Sequence, residues 1–215
     1  FEGLQNLETF LNKGGTLLLL GSSGALATDF GLVRNVSRVP GRVSTPGSAI
    51  QTKVLRPNHP IVYGYEEINH VFRTNGPLYS VPKKFDHWIV MQYGTKPIRD
   101  DEDEDNEDDE ENGEDSDEDA DEDAVSEDDE ESNGKKPDKK KFLLSGYVDK
   151  QDSIEKKGTI IDIPRNDGGR VILFSFNPLH RYLNHGDHTF VHNVLLNWND
   201  FPDPEPKDHP GLAKD

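Results

Sequence analysis

No cysteine occurs in the chain, which excludes a disulfide framework, a thiolate metal site and a cysteine nucleophile. Long apolar runs are missing too: the longest, Thr16 to Leu20, is far short of the ~20 residues that cross a bilayer, so no membrane span is expected. Several signatures of catalysis are incomplete. Gly21-Ser22-Ser23-Gly24 lacks the Gly-x-Ser-x-Gly spacing of a nucleophile elbow and the lysine of a phosphate loop. No glutamate completes an HExxH pattern around His188 and His192. Lys and Arg are absent between Asp100 and Glu131, where 24 residues are acidic.

That last absence explains the formal charge of −18. The remaining residues carry 24 basic against 18 acidic side chains, and five of the basic ones are Lys135, Lys136, Lys139, Lys140 and Lys141, directly after the acid run. The foldable remainder is therefore close to neutral. Residues 100–141 read as a disordered insertion, because like charges with only Ala120, Ala124 and Val125 as apolar relief cannot offset the entropy of ordering. Asp108, Glu110, Asn112, Gly113 and Asp119 echo a calcium loop without its flanking helices, so the run is expected to attract divalent cations or basic partners diffusely. The lysine cluster has no interleaved aromatics, and no nucleic-acid partner is expected.

What is present is an alternation of short elements. Leu4, Leu7, Phe10 and Leu11 form a helical stripe ended by Lys13-Gly14-Gly15, and Thr16–Leu20 then reads as a buried parallel strand. The turn Gly21–Gly24 leads to a second helix from Ala25, which is the rhythm of an α/β layer fold. Arg34 to Gly47 is loop-like. Ala49–Leu55 alternates as a half-exposed strand, and Ile61–Tyr65, Val71–Arg73, Leu78–Val81 and Trp88–Tyr93 are strand-like runs that together predict a β-rich excursion. Beyond the acid run, Phe142–Val148 resumes the strand pattern, and Thr159–Ile163 and Arg170–Phe176 flank Asp167-Gly168 as a hairpin.

The hub of the chain is Gly168 to Asp200. Val171–Phe176 is too apolar for one wet face and belongs in mid-sheet. Val191, Val194, Leu195 and Trp198 fall at helical spacing and predict a helix lying back on the sheet through those four side chains. The first domain segment is thus 1–99, the second 142–200, and 201–215 reads as an extended proline-spaced tail without a core.

Two groups of residues invite chemistry. His188 and His192 are four apart on one helix face, and His185 can fold over the same end, as a zinc or nickel site requires; alternatively, His185-Gly186-Asp187 is a capping loop with Asp187 accepting N–H bonds at the helix start. Ser22 and Ser23 sit between a buried strand and a helix, where a nucleophile or an anion-binding turn would lie; the alternative is a serine helix cap. Convergence of Ser22 or Ser23 with the His180 to His192 cluster would make an independent hydrolase or metal-binding domain.

Several segments, taken in order, resemble a known type. They are Phe10-Leu11-Asn12-Lys13-Gly14-Gly15-Thr16-Leu17, Pro46-Gly47-Ser48, His59-Pro60-Ile61-Val62-Tyr63-Gly64, Leu144-Ser145-Gly146-Tyr147, and Gly169–Phe174 through Arg181, His185-Gly186 and Asn193–Leu196. Together they resemble the glutamine-amidotransferase-like domain that follows the catalytic domain in bacterial zinc carboxypeptidases of the M14 type. The resemblance implies a flavodoxin-like three-layer sheet of the class I glutamine-amidotransferase kind, truncated at its N-terminus. It implies a non-catalytic accessory domain packing on an upstream carboxypeptidase domain of the same polypeptide, whose zinc ligands and catalytic glutamate lie outside this sequence, and a secreted or periplasmic location. It places no catalytic or cofactor-binding residue in this chain. Phe1, opening inside a helical pattern, fits a downstream piece of such a polypeptide.

Overall fold

In the computed structural model, residues 2–41, 43–98, 142–166 and 168–202 are described. The acid run, the lysine cluster, the calcium-like loop and residues 203–215 lie outside them. Helix α1 (Glu2–Asn12) ends at Gly14 in the left-handed region and feeds strand β1 (Thr16–Leu20). A tight turn over Gly21–Gly24 runs directly into α2 (Ala25–Asp29). There follow β2 (Ser37–Arg38), β3 (Ser48–Val54), β4 (Ile68–Arg73), β5 (Tyr79–Ser80), β6 (Ile89–Tyr93), β7 (Leu143–Ser145), β8 (Gly158–Pro164), β9 (Arg170–Phe174) and α3 (His185–Leu196).

The main sheet runs β1-β9-β8-β6-β3-β4, with β7 also paired to β3. Only β1 and β9 are parallel, Leu18 standing opposite Ile172; the other pairings are antiparallel. The expected hairpin is formed by β8 and β9, closed by the Arg165 N–H donating to the Gly169 carbonyl at 2.8 Å. The β-rich excursion is not separate from the α/β layer. Strands β3, β4, β6 and β7 complete the same sheet, because β3 alternates buried and half-buried residues and can pair on both sides, while β2 and β5 form a two-stranded ribbon of their own.

Alternation in β9 explains why it is apolar throughout. Val171 and Leu173 join Leu11, Leu19, Ala27 and Ile163 on the α1 and α2 side. Ile172 and Phe174 join Phe176, Phe190 and Val194 on the α3 side. The sheet is therefore the middle of three layers, and each fully buried β9 side chain contributes about 1.5–3 kcal/mol before entropy is subtracted. The described residues belong to one compact unit made of Phe1–Ile98 and Lys141–Asp215, so the chain leaves after β6 and returns as β7 alongside the same strand, β3.

Four expectations are corrected. Ile61–Tyr65 is no strand: Pro60–Val62 is a single 3-10 turn, begun by His59, whose Nδ1 accepts the Ile61 N–H. Leu195 and Trp198 do not face the sheet but are 64% and 57% exposed; the buried stripe of α3 is Asp187, Phe190, Val191 and Val194. That stripe is selected by Tyr65, which stacks on Phe190 at 3.9 Å, and by Asn193, which donates to the carbonyls of Ile61 and Tyr63 and fixes the rotation of the helix. Asp187 does not cap its own helix, whose N-cap is Asn184. Its Oδ2 accepts the Phe72 N–H of β4 at 3.0 Å. Phe201, read as tail, is buried in the core against the His59 ring, 5.1 Å between centroids.

Candidate functional site

Strand β1 ends beside the end of β9, and at this C-terminal end of the parallel pair an open α/β sheet commonly takes its ligands. Gly21 adopts φ +53° and donates its N–H to the Phe176 carbonyl, which starts the turn that carries Ser22 and Ser23. Ser23 is the cap: its hydroxyl accepts the Leu20 N–H and donates to the Leu20 carbonyl, each at 2.9 Å. Gly24 must be glycine, because a Cβ there would fall 1.8 Å from the Tyr79 hydroxyl. The Ser22 carbonyl accepts the Ala25 N–H, its hydroxyl has no hydrogen-bond partner among the described residues, and the residue lines a cleft of about 690 Å³. Its other walls include Thr28, Asp29, Arg38, Asn75 and Leu78, and Arg38 pairs with Asp29 at 3.4 Å. The Asn75 side chain is occupied in accepting the Thr45 N–H at 2.8 Å.

Arg73 holds the Asn75–Leu78 wall in place. Its fully buried guanidinium donates to the Tyr93 hydroxyl at 2.9 Å, to the Ser175 carbonyl, and to the carbonyls of Gly76 at 2.7 Å and Pro77 at 3.4 Å. Ser175 in turn donates to the Tyr93 hydroxyl at 2.8 Å. No carboxylate pairs with Arg73 among the described residues; carbonyl dipoles and the face of the Tyr93 ring, 5.3 Å away, stabilise the cation instead. Sequence reasoning missed this residue, because the strand Ile68–Arg73 mixes polar and apolar residues without alternation and nothing in it singles out the arginine.

A second buried network joins β8, β9 and the Leu55–Pro60 connection. Asp162 Oδ2 accepts from Arg170 Nη1 at 2.5 Å and from His59 Nε2 at 3.0 Å, with Arg56 Nη1 at 3.5 Å. Because His59 Nδ1 accepts the Ile61 N–H, the ring proton sits on Nε2 and the imidazole is neutral. Burial pushes the His59 pKa below its ordinary value, more strongly than Asp162 raises it. Burial acts on Asp162 in the opposite sense, but the His59 hydrogen bond and the charges of Arg170 and Arg56 outweigh it and hold the carboxyl below the usual carboxylate range. Arg170 also donates to the carbonyls of Phe201 and Pro202, so this network anchors the chain after α3. The His–Asp pair resembles part of a catalytic triad, yet its groups are spent on one another and on the fold. The only sequence signal was the lone aspartate in the apolar run Thr159–Ile163, since His59 lies 103 residues before it.

The predicted histidines are divided. His180 stacks on Phe72 at 6.2 Å between centroids. His185 and His188 lie together, 5.6 Å apart, under Tyr182, while His192 is exposed one turn further along α3. No hydrogen bond joins Ser22 or Ser23 to any histidine among the described residues. Among those residues no group of three or more His, Asp or Glu stands ready to hold a metal ion, and no helix is long and apolar enough to cross a membrane. No protein-family model matches the chain, and neither does any curated protein or solved structure.

Proposed function

We propose that this chain is a non-catalytic accessory domain, with a flavodoxin-like three-layer arrangement, in a zinc metallocarboxypeptidase-like polypeptide, and that it packs on the upstream peptidase domain. The observation that carries this reading is the open edge of β1. Strand β1 is the last strand of the sheet, and it carries neither a charge nor a proline to discourage pairing. Beside it, Phe10, Lys13, Leu18, Leu195 and Trp198 line an apolar groove of about 520 Å³, with Phe10 47% and Leu195 64% exposed. Apolar side chains gathered at an unpaired edge are the surface that a neighbouring domain covers. Ser23 as a backbone cap and His59 as a buried neutral ring support a binding role rather than a hydrolytic one. On this reading zinc and the chemistry belong to the peptidase domain, and this chain shapes its surroundings.

The test is to express the chain joined to its peptidase domain, cleave the connection, and follow the two pieces by size-exclusion chromatography. Co-elution is expected for the native sequence and its loss for Leu18→Glu with Trp198→Asp, the variant's circular dichroism remaining native. Separate elution of the native pieces, or turnover of C-terminal peptide substrates by the 215-residue chain alone, refutes the proposal.

A further inference from the structure

Three aromatic rings crowd the first turn of α3. His185 and His188 have their ring centres 5.6 Å apart, and Tyr182 lies 4.3 Å from the first and 4.8 Å from the second. This crowding is held by an unusual backbone: Arg181 and Tyr182 both adopt left-handed conformations, φ 50° and 58°, although neither is glycine. Each such residue stores strain, and strain of this kind gathers at sites that bind something. The Nε2 atom of His188 is shielded from solvent and has no hydrogen-bond partner among the described residues. A buried ring nitrogen left this way is unfavourable unless a ligand completes it.

We infer that His185 and His188, joined by His192 from the next turn, form a binding site for a borderline transition metal ion, Zn²⁺ or Cu²⁺. Two imidazoles that share a tetrahedral ion at about 2.0–2.1 Å hold their ring centres roughly 5 Å apart, close to the separation already present. His192 follows His188 by four residues, one helical turn, and is exposed, so its side chain is free to swing onto the same ion. Water fills the remaining position, with the exposed Tyr182 as a wall over the ion. Imidazole donors select zinc, copper and nickel over the hard cations magnesium and calcium. This separates the site from diffuse attraction of hard cations to the acid run, and it stands whether or not the accessory role does.

The experiment is calorimetric titration of Zn²⁺ into the full 215-residue chain in excess Mg²⁺, which occupies carboxylates and leaves imidazoles available. One ion per chain is expected. His185→Ala and His188→Ala should each weaken binding at least tenfold, His192→Ala should weaken it severalfold, and His180→Ala should leave it unchanged. Cu²⁺ should show nitrogen coupling in its electron paramagnetic resonance spectrum that the His185→Ala/His188→Ala protein loses. Should His188→Ala disturb the helix, the exposed His185 provides the decisive variant. Absence of Zn²⁺ uptake in Mg²⁺, or uptake undiminished in the double variant, overturns the inference.

Discussion

Replacing Asp162 by Asn tests the reading of the buried network most directly. The substitution keeps the shape and an oxygen that can accept from His59 Nε2, but it removes the anion that Arg170 approaches at 2.5 Å and Arg56 at 3.5 Å. Asp162 is fully buried and the Arg56 side chain is 3% exposed, so water cannot take over the lost charge. Removing one partner of a buried ion pair is destabilising by about 3–5 kcal/mol. For a protein of this size 1 kcal/mol moves the midpoint by roughly 2–4 °C, so Asp162→Asn should melt about 6–20 °C lower at pH 7. The Asp162 pKa is depressed in the folded state, which makes its stabilisation complete above its unfolded value of 3.8 and lost as pH falls through the lower folded value. The difference between native and variant proteins should therefore shrink in strong acid. Circular dichroism melts with urea unfolding at pH 7 and pH 3 provide the assay. A loss below about 1 kcal/mol at pH 7, within the range of ordinary surface changes, would refute the view that this cluster holds β8, β9 and Phe201 together.

Asp187 should show the opposite pH dependence. Burial raises its carboxyl from 3.8 to about 7, against the lowering effect of the Phe72 N–H and Asn184, so its contribution favours folding in acid and is lost as pH rises from about 4 through 7. Asp187→Asn should gain about 2–4 kcal/mol over the native protein at pH 8 and much less at pH 5, read by urea unfolding; equal differences at both pH values would contradict this. The rotation of α3 is tested by a pair of variants. Val194→Ala, at a buried position, should lose about 2 kcal/mol, while Leu195→Ser, at an exposed one, should stay within roughly 0.5 kcal/mol in the same assay.

Local pattern was enough to place the helix, strand, tight turn and helix of residues 2–29, the β8 and β9 hairpin, and the mid-sheet position of Val171–Phe176. Those features follow from side-chain periodicity and from glycines at turns, which act within a few residues. The presence of a serine turn and of a histidine group was legible in the same way. Which face of α3 is buried was not, because Val191, Val194, Leu195 and Trp198 fit a helical stripe as well as Phe190, Val191 and Val194 do. Tyr65 and Asn193, contacting partners more than 100 residues away, decided between them. The roles of Arg73 and Asp162 were equally beyond reach: each is fixed by partners from distant segments, Ser175 and Tyr93 for one, Arg56 and His59 for the other. Sequence alone determined most of the elements and excluded cysteine chemistry. Tertiary structure decided which charged groups share a dry interior, because that depends on strand order, and strand order is set by long-range pairing that no local window contains.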